Sequence, residues 1–472
     1  MQERSSTRYV ENRTYDEIQV GDFAELTRTL QQQDIQLFAV MSGDVNPAHL
    51  DPEYARSTMF HEVIAHGMWG ASLISTVLGT QFPGPGTIYI GQTLSFARPV
   101  ALGDTVTIRV TAARKFDHNF HVLFDCLCTN QDGQVVIRGT AEVLAPREKI
   151  KRARMLLPDV RIHDKTARYQ QLLALTEGLP PVTMAVAHPC DVPSLKGALG
   201  AAEAGLVKPI LVGPAHKIRA VAEQIEADLN GYRLVDVPHS HAAAAAAVAL
   251  VRTGEADTLM KGSLHTDELM AEVVAHETGL RTARRISHVF LMDVPAYPRP
   301  LLLTDAAVNI MPTLEEKADI VQNAIDLALA LGMQEPKVAI LSAVETVTNK
   351  LRSTLDAAAL CKMADRGQIT GGILDGPLAF DNAVSVVAAK TKGIRSAVAG
   401  RADILVVPDL EAGNMLAKQL EYLADGQSAG IVLGARVPIV LTSRADPMHS
   451  RIASCAVALI LAHARKQPPA VA

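Results

Sequence analysis

The chain has 472 residues, of which 48% are hydrophobic, 20% charged and 4% aromatic, and 45 basic against 50 acidic side chains give a net charge of −5. That length predicts about three folding units, and the apolar content excludes wholesale disorder. The lack of a basic excess or stripe argues against a nucleic-acid partner, and apolar runs such as Ala242–Val251 fall well short of the ~20 residues of a membrane-spanning helix.

The first stretch, Met1–Glu17, is polar and mixed in charge, without the apolar core of a signal peptide. Five scattered cysteines build no disulfide framework, so a cytoplasmic protein is expected. Cys126 and Cys128 alternate on one face of a predicted strand and read as core. The segment Ser42-Gly43-Asp44-Val45-Asn46-Pro47-Ala48-His49-Leu50-Asp51 comes next. It sets a carboxylate and an imidazole five residues apart around a stiff Asn-Pro turn, a pairing suited to gripping one water. Ile64–Gly79 is small and apolar nearly all round, which predicts a buried helix. His66-Gly67-Met68 stands at its entrance, where a free N–H at the positive end of the helix dipole suits a developing oxyanion. From Gly86 to Pro146 the pattern alternates: Val106, Ile108 and Val110, then Val122, Phe124 and Cys126. Gln131-Asp132-Gly133-Gln134 is a hairpin signal between two of these runs. One buried helix followed by long antiparallel strands predicts a sheet wrapped around it.

Residues 147–168 hold eight basic side chains, from Arg147 to Arg168, and are expected to be a solvated linker. Beyond residue 180, short apolar runs alternate with helical stretches such as Leu314–Leu331. This predicts a parallel or mixed sheet covered by helices on both faces, in two α/β lobes. Polar clusters stand at many of the predicted strand ends. Among them are Lys261-Gly262-Ser263, Thr304-Asp305-Ala306, Asp375-Gly376-Pro377 with Asp381-Asn382, and Pro408–Asn414. The fullest is Val440-Leu441-Thr442-Ser443-Arg444-Ala445-Asp446, which offers a hydroxyl and a guanidinium fork to a phosphorylated ligand. Taken singly, each cluster also reads as a helix cap or turn.

The motif D-x-N-P-x-H-x-D, with His66-Gly67-Met68, Gly84–Tyr89 and Gln92–Phe96, resembles the MaoC-like (R)-specific enoyl-CoA hydratases over Tyr15 to Pro146. The resemblance implies a hot-dog fold over residues 1–146. It implies that Asp44 and His49 activate the water that adds to C3 of a trans-2-enoyl-CoA, and that the Gly67 N–H holds the thioester oxygen. Ser75 would support the pair, while Asn46, His66 and Leu78 would contact substrate.

The strand-end motifs, with His188-Pro189, Thr304–Ile310 and Ala343-Val344-Glu345, resemble the phosphate acetyl/butyryltransferase family from about Leu172 onward, and their spelling leans toward the butyryl branch. The resemblance implies a two-lobed α/β fold over 169–472. One lobe would span about 169–299 plus 440–472, with the second inserted at about 300–439. The implied reaction moves an acyl group between CoA and phosphate, with Ser443 and Arg444 on the phosphate. The acetyl branch carries a carboxylate six residues after its motif Arg, and here that position is Ser450. Asp446 is the substitute base, with Asp305 and Asp375 in reserve. Lys261, Arg284, Arg285, Asp381 and Asn414 are further expected substrate contacts, while Cys190 reads as a partly buried core thiol. No metal or nucleotide motif is found, so no cofactor is expected beyond acyl-CoA and phosphate as substrates. A homo-oligomer, dimer or hexamer, is expected. The alternative is an active hydratase whose second domain binds acyl-CoA or assembles oligomers without turnover.

Overall fold

In a computed structural model that describes residues 9–158, 160, 162, 164, 166–442 and 446–466, the expected buried helix runs Gly67–Thr80. It buries Trp69, Gly70, Ala71, Leu73, Ile74, Val77 and Leu78. It begins three residues later than its apolar pattern because Ile64 bridges Ala101 and the Ala65 N–H donates to Val100 O. A five-stranded antiparallel sheet wraps it in the order Phe23–Thr29, Thr105–Phe116, His121–Thr129, Val135–Leu144, Ile88–Phe96. The alternation is of period two: Val122, Phe124, Cys126 and Cys128 all turn inward. At the hairpin Gly133 has φ 74°, and Asn130 Oδ1 accepts from the Asp132 and Gln134 N–H groups. This is the hot-dog arrangement.

Part of the stretch expected as linker is structured. Lys151–Ala153 pairs antiparallel with Tyr9–Glu11, and the Asn12 side chain bridges Glu148 O and the Ile150 N–H. These backbone groups find partners in a second chain segment instead of water, so the first compact unit is Met1–His163 and the second Asp164–Ala472.

The second unit is built on one eleven-stranded sheet. Arg233–Asp236, Val207–Gly213, Val182–Ala187, Thr258–Lys261 and Ile439–Val440 lie side by side and parallel. Leu301–Thr304, Ile404–Val406, Lys337–Leu341 and Ile373–Leu378 form a second parallel set. Between the sets stand Gln427–Leu433 and Ser287–Asp293, each antiparallel to both its neighbours. Counting these reversals, the two sets run in opposite directions, and their carboxyl ends face opposite edges of the sheet.

The helices explain the two lobes. On one face a single apolar cluster crosses the whole sheet, fed by Val192–Glu203, Leu314–Ala330, Arg352–Asp365 and Met448–Lys466. On the other face the core is split in two, one part under Ser240–Arg252 and Thr266–Val274 and the other among Ala383, Ala389 and Ala417. The lobes therefore share one core layer and separate on the opposite face. The chain crosses into the second half at Ser287–Asp293 and returns at Gln427–Leu433. The helices start where their caps predict: Asp191, Thr313 and Asp409 side chains accept from the first turns, and the His239 ring caps the alanine-rich helix. No helix among the described residues is long and apolar enough to cross a membrane.

Candidate functional site

In the first unit, helix Gln32–Ser42 ends at Gly43 with φ 75°, which releases the chain into the Asp44 turn. Asp44 Oδ1 accepts from the Asn46 N–H at 3.2 Å, and Asn46 in turn caps Pro47–Leu50 through the Ala48 N–H at 3.1 Å. That short helix holds His49. Its Nδ1–H donates to Ile64 O at 2.9 Å, so in the neutral ring Nε2 keeps a free lone pair. His66, 2% exposed, donates from Nε2 to the Asp44 carbonyl at 3.0 Å and stacks on His49 with ring centres 4.0 Å apart. Gly67 follows in the helix's first turn, where N–H groups have no intrahelical acceptor. A Cβ at Gly67 would come within 3.2 Å of the Phe96 ring.

Asp44, His49, His66 and Gly67 are thus brought together, with donor atoms of the first three within 4.8 Å of one another. The same three side chains are the set among the described residues that could hold a metal ion. The tilted stack of the two rings suits a base with a supporting neighbour better than two ligands converging on one ion. Ser75 is exposed and eight residues further along the helix, about 12 Å along the axis from Gly67. Leu78 is fully buried in the core.

In the second unit the expected residues divide between the two sheet edges. At the carboxyl edge of the first parallel set, Lys261 is 5% exposed and its Nζ lies 3.2 Å from Gly262 O. Ser263 Oγ donates to His188 O at 2.9 Å, lies 3.1 Å from His188 Nδ1 and accepts from the Cys190 N–H at 3.2 Å. Sequence reasoning gave His188 and Ser263 no role; only the pairing of Ala187 with Lys261 joins them. Thr442 follows the strand Ile439–Val440 at this edge. Ser443 and Arg444 lie outside the described residues. On either side of residues 443–445 Arg451 makes contact: its Nη1 donates to Thr442 Oγ1 at 2.9 Å and its Nε reaches Asp446 O at 3.4 Å.

Of the other expected contacts, Asp305, Asp375, Asp381 and Asn414 belong to the second half, and Arg284 and Arg285 precede the crossing strand Ser287–Asp293. Asp305 is 3% exposed, and its two carboxylate oxygens accept from the Ala307, Val308 and Asn309 N–H groups and from Asn309 Nδ2. It is a turn-building carboxylate just past the carboxyl end of Leu301–Thr304, in the second parallel set. Asp375 sits within Ile373–Leu378, and Asp381 pairs with Lys392 at 3.3 Å; both are also in the second half. Asn414 Nδ2 donates to Ala306 O at 3.3 Å. Arg284 pairs with Asp326, and Arg285 with Asn309 at 2.7 Å and Glu316 at 3.0 Å. Arg284 and Arg285 line a cavity of about 460 Å³ with Arg281, Asn309, Glu316 and Asp319. Asp446 remains the candidate carboxylate next to Ser443 and Arg444 in sequence. Burial pushes the Cys190 thiol up to about 11, which fits a core thiol and not a nucleophile.

Comparison with known proteins agrees with both geometries. The family description "MaoC like domain" matches residues 19–122, and "Phosphate acetyl/butaryl transferase" matches residues 239–459. The phosphate acetyltransferase of Rhizobium meliloti is 65% identical over 300 residues, 64% of this chain and 95% of that protein. The phosphate butyryltransferase of Clostridium beijerinckii is 41% identical over 298 residues, 63% of this chain and 99% of the relative. A branched-chain phosphotransacylase from Enterococcus faecalis V583 has 32% identity and a TM-score of 0.53, covering 60% of this chain and 99% of that structure. A hot-dog unit joined to a mixed-sheet α/β unit is the class defined here. The chain belongs to the phosphate acetyl/butyryl transferase family and carries a MaoC-like domain ahead of that region.

Proposed function

We propose that the protein is a bifunctional enzyme of short acyl-CoA thioesters: a phosphate acyltransferase that also hydrates trans-2-enoyl-CoA to (R)-3-hydroxyacyl-CoA. The acyltransferase rests on family membership along nearly the full length of its relatives. The hydratase rests on one observation, the convergence of Asp44, His49 and Gly67.

For hydration, His49 Nε2 and the Asp44 carboxylate hold one water between them. Hydroxide adds to C3, negative charge moves to the thioester oxygen beside the Gly67 N–H, and C2 takes up a proton returned by the pair. Because Ile64 O holds Nδ1–H in place, His49 takes up a proton at Nε2. For acyl transfer, a phosphate oxygen attacks the thioester carbon, the C–S bond breaks, and CoA leaves as thiolate. In reverse, the CoA thiol attacks the acyl phosphate after losing its proton, a step assigned to Asp446. Arg444 holds the phosphate and Ser443 hydrogen-bonds it. Neither step needs redox chemistry or nucleotide hydrolysis.

Two assays on the full chain test this. Asp44→Asn is expected to abolish crotonyl-CoA hydration, by about 10²-fold or more for a lost acid–base group; survival of the rate removes Asp44 from the role. Arg444→Ala is expected to abolish phosphate-dependent CoA release. Ser450, where a carboxylate was expected, favours the second reading, in which this unit binds acyl-CoA without turnover. An inactive wild type supports that reading.

A further inference from the structure

The resemblance implies a substrate contact at His66, but the side chain is 2% exposed and offers a substrate almost no surface. We propose that His66 is instead the positioning residue of the hydratase site. It fixes the Asp44 turn and the His49 ring against each other, so that both stay on one water. The inference rests on the hydratase reading above and gives a role to a side chain that performs no step of the reaction.

Three observations carry it. The first is connectivity. The ring donates from Nε2 to the Asp44 carbonyl at 3.0 Å and stacks on His49, with centres 4.0 Å apart and planes 34° from parallel. The backbone carbonyl of His66 accepts from the Trp69 N–H at 2.9 Å, and so opens the helix whose first residue is Gly67. One residue therefore meets all three groups assigned to hydration. Ile64 O, two residues earlier, holds His49 Nδ1 at 2.9 Å, so the short segment from Ile64 to Gly67 sets how His49 and Gly67 stand relative to Asp44.

The second is an unmet demand. His66 Nδ1 is buried without a hydrogen-bond partner among the described residues, and the side chain makes no cap bond to the helix it precedes. Burying an unpaired polar atom is unfavourable. The ring also lies 4.9 Å from the Phe38 ring, and a phenyl group would suit that aromatic enclosure without the unpaired nitrogen. Packing alone does not call for histidine here. The bond to Asp44 does.

The third is how little else holds Asp44. The residue is exposed, and its other hydrogen bonds are local: its N–H donates to Ser42 Oγ at 3.2 Å, and its Oδ1 accepts from the Asn46 N–H at 3.2 Å. Among the described residues, the bond from His66 is the one that reaches Asp44 from outside its own turn. Such a turn keeps its local shape without His66 but loses its tie to His49 and to the helix.

The test uses the full chain and crotonyl-CoA hydration. His66→Phe keeps a ring in the stack and removes the donor. It is expected to lower kcat by about tenfold to a hundredfold, the scale of a catalytic group displaced by up to an ångström. KM should stay within about twofold, and the melting midpoint should be unchanged or higher. His66→Gln returns a donor to the Asp44 carbonyl without the ring, and is expected to regain part of that kcat. An unchanged kcat in His66→Phe overturns the inference. So does a matching rise in KM, the mark of a substrate contact, or a lowered melting midpoint in both variants, the mark of packing. If His66→Phe fails to fold, His66→Gln decides between these outcomes by the same readouts. If wild type does not hydrate crotonyl-CoA, the hydratase reading fails by itself, and crystal structures of wild type and His66→Phe then test the positioning role. An Asp44 turn shifted away from His49 supports it, and superposable Asp44 and His49 refute it.

Discussion

His288 is a fully buried histidine in the second unit. It stands on a central strand, and its ring approaches the Leu441 backbone without a well-aligned hydrogen bond among the described residues. Its Nε2 lies 2.9 Å from where a Cβ on Gly430 would stand, so glycine there leaves room for the ring. Burial pulls its pKa down to about 4, with the Asp305 charge and the Leu441 backbone acting in the opposite sense. A depressed histidine pKa means that the unfolded chain takes the proton first. Stability is therefore complete above about 6.5 and lost as pH falls toward 4, by up to about 3 kcal/mol. Urea midpoints at pH 7 and 4.5 should show that loss in wild type and a smaller one in His288→Leu. The cysteines give a second prediction. Burial raises Cys126, Cys128, Cys361 and Cys455 to about 12 and Cys190 to about 11. At pH 8 the thiolate fraction of each is about 10⁻³ or less. Alkylation of native protein should run a few hundred-fold or more slower than that of a free thiol and speed up about tenfold per pH unit. A fast-reacting thiol would reopen a covalent route through Cys190. At this scale the sequence was informative where chemistry is local. Asp44 and His49 share one turn, so their spacing predicts their meeting. His288, flanked by Ser287 and Val289, shows nothing of its burial, which is made by the strands on either side, Leu301–Thr304 and the far more distant Gln427–Leu433.

Elements repeat that contrast. The hot-dog helix and its alternating strands were readable because each pattern is complete within about ten residues. The opposed polarity of the two parallel sets was not, since it depends on Ser287–Asp293 pairing with Gln427–Leu433 across more than a hundred residues. No local pattern records that hydrogen bonding. Close approach is equally hidden. Gly139 pairs with Leu94 in the edge strand Ile88–Phe96, and a Cβ there would stand 1.9 Å from Thr93 O. Backbone cannot retreat as a side-chain tip does, so Gly139→Ala must push the edge strand away. The expected cost is about 2–4 kcal/mol, seen as a lower melting transition with hydration lost before acyl transfer. An unchanged transition would mean that the strand pairing tolerates a shift the geometry forbids.

For the whole molecule, the opening count of about three units becomes one hot dog plus an α/β body whose halves share one core layer. The scarcity of aromatics matches cores made of Val, Leu, Ile and Ala. The edge strand of the hot dog exposes Ile88, Tyr89, Ile90 and Phe96 at 55%, 37%, 49% and 52%. An apolar edge of that kind seeks a partner, and light scattering behind size exclusion is expected to report a dimer or larger; a monomer removes the homo-oligomer. The cores of the two units have no residue in common, so substitutions in one should not be felt in the other. Asp44→Asn should lose hydration and keep phosphate-dependent CoA release, and Arg444→Ala should do the reverse. A loss of both activities in either variant would contradict two independent sites. Wild type supplied with crotonyl-CoA and phosphate should form 3-hydroxybutyryl phosphate, as should an equal mixture of the two variants. The mixture forces the intermediate to leave one chain for another. If 3-hydroxyacyl-CoA passes between sites of the same chain, wild type shows the shorter lag, and equal lags establish that the intermediate equilibrates with solvent between the two reactions.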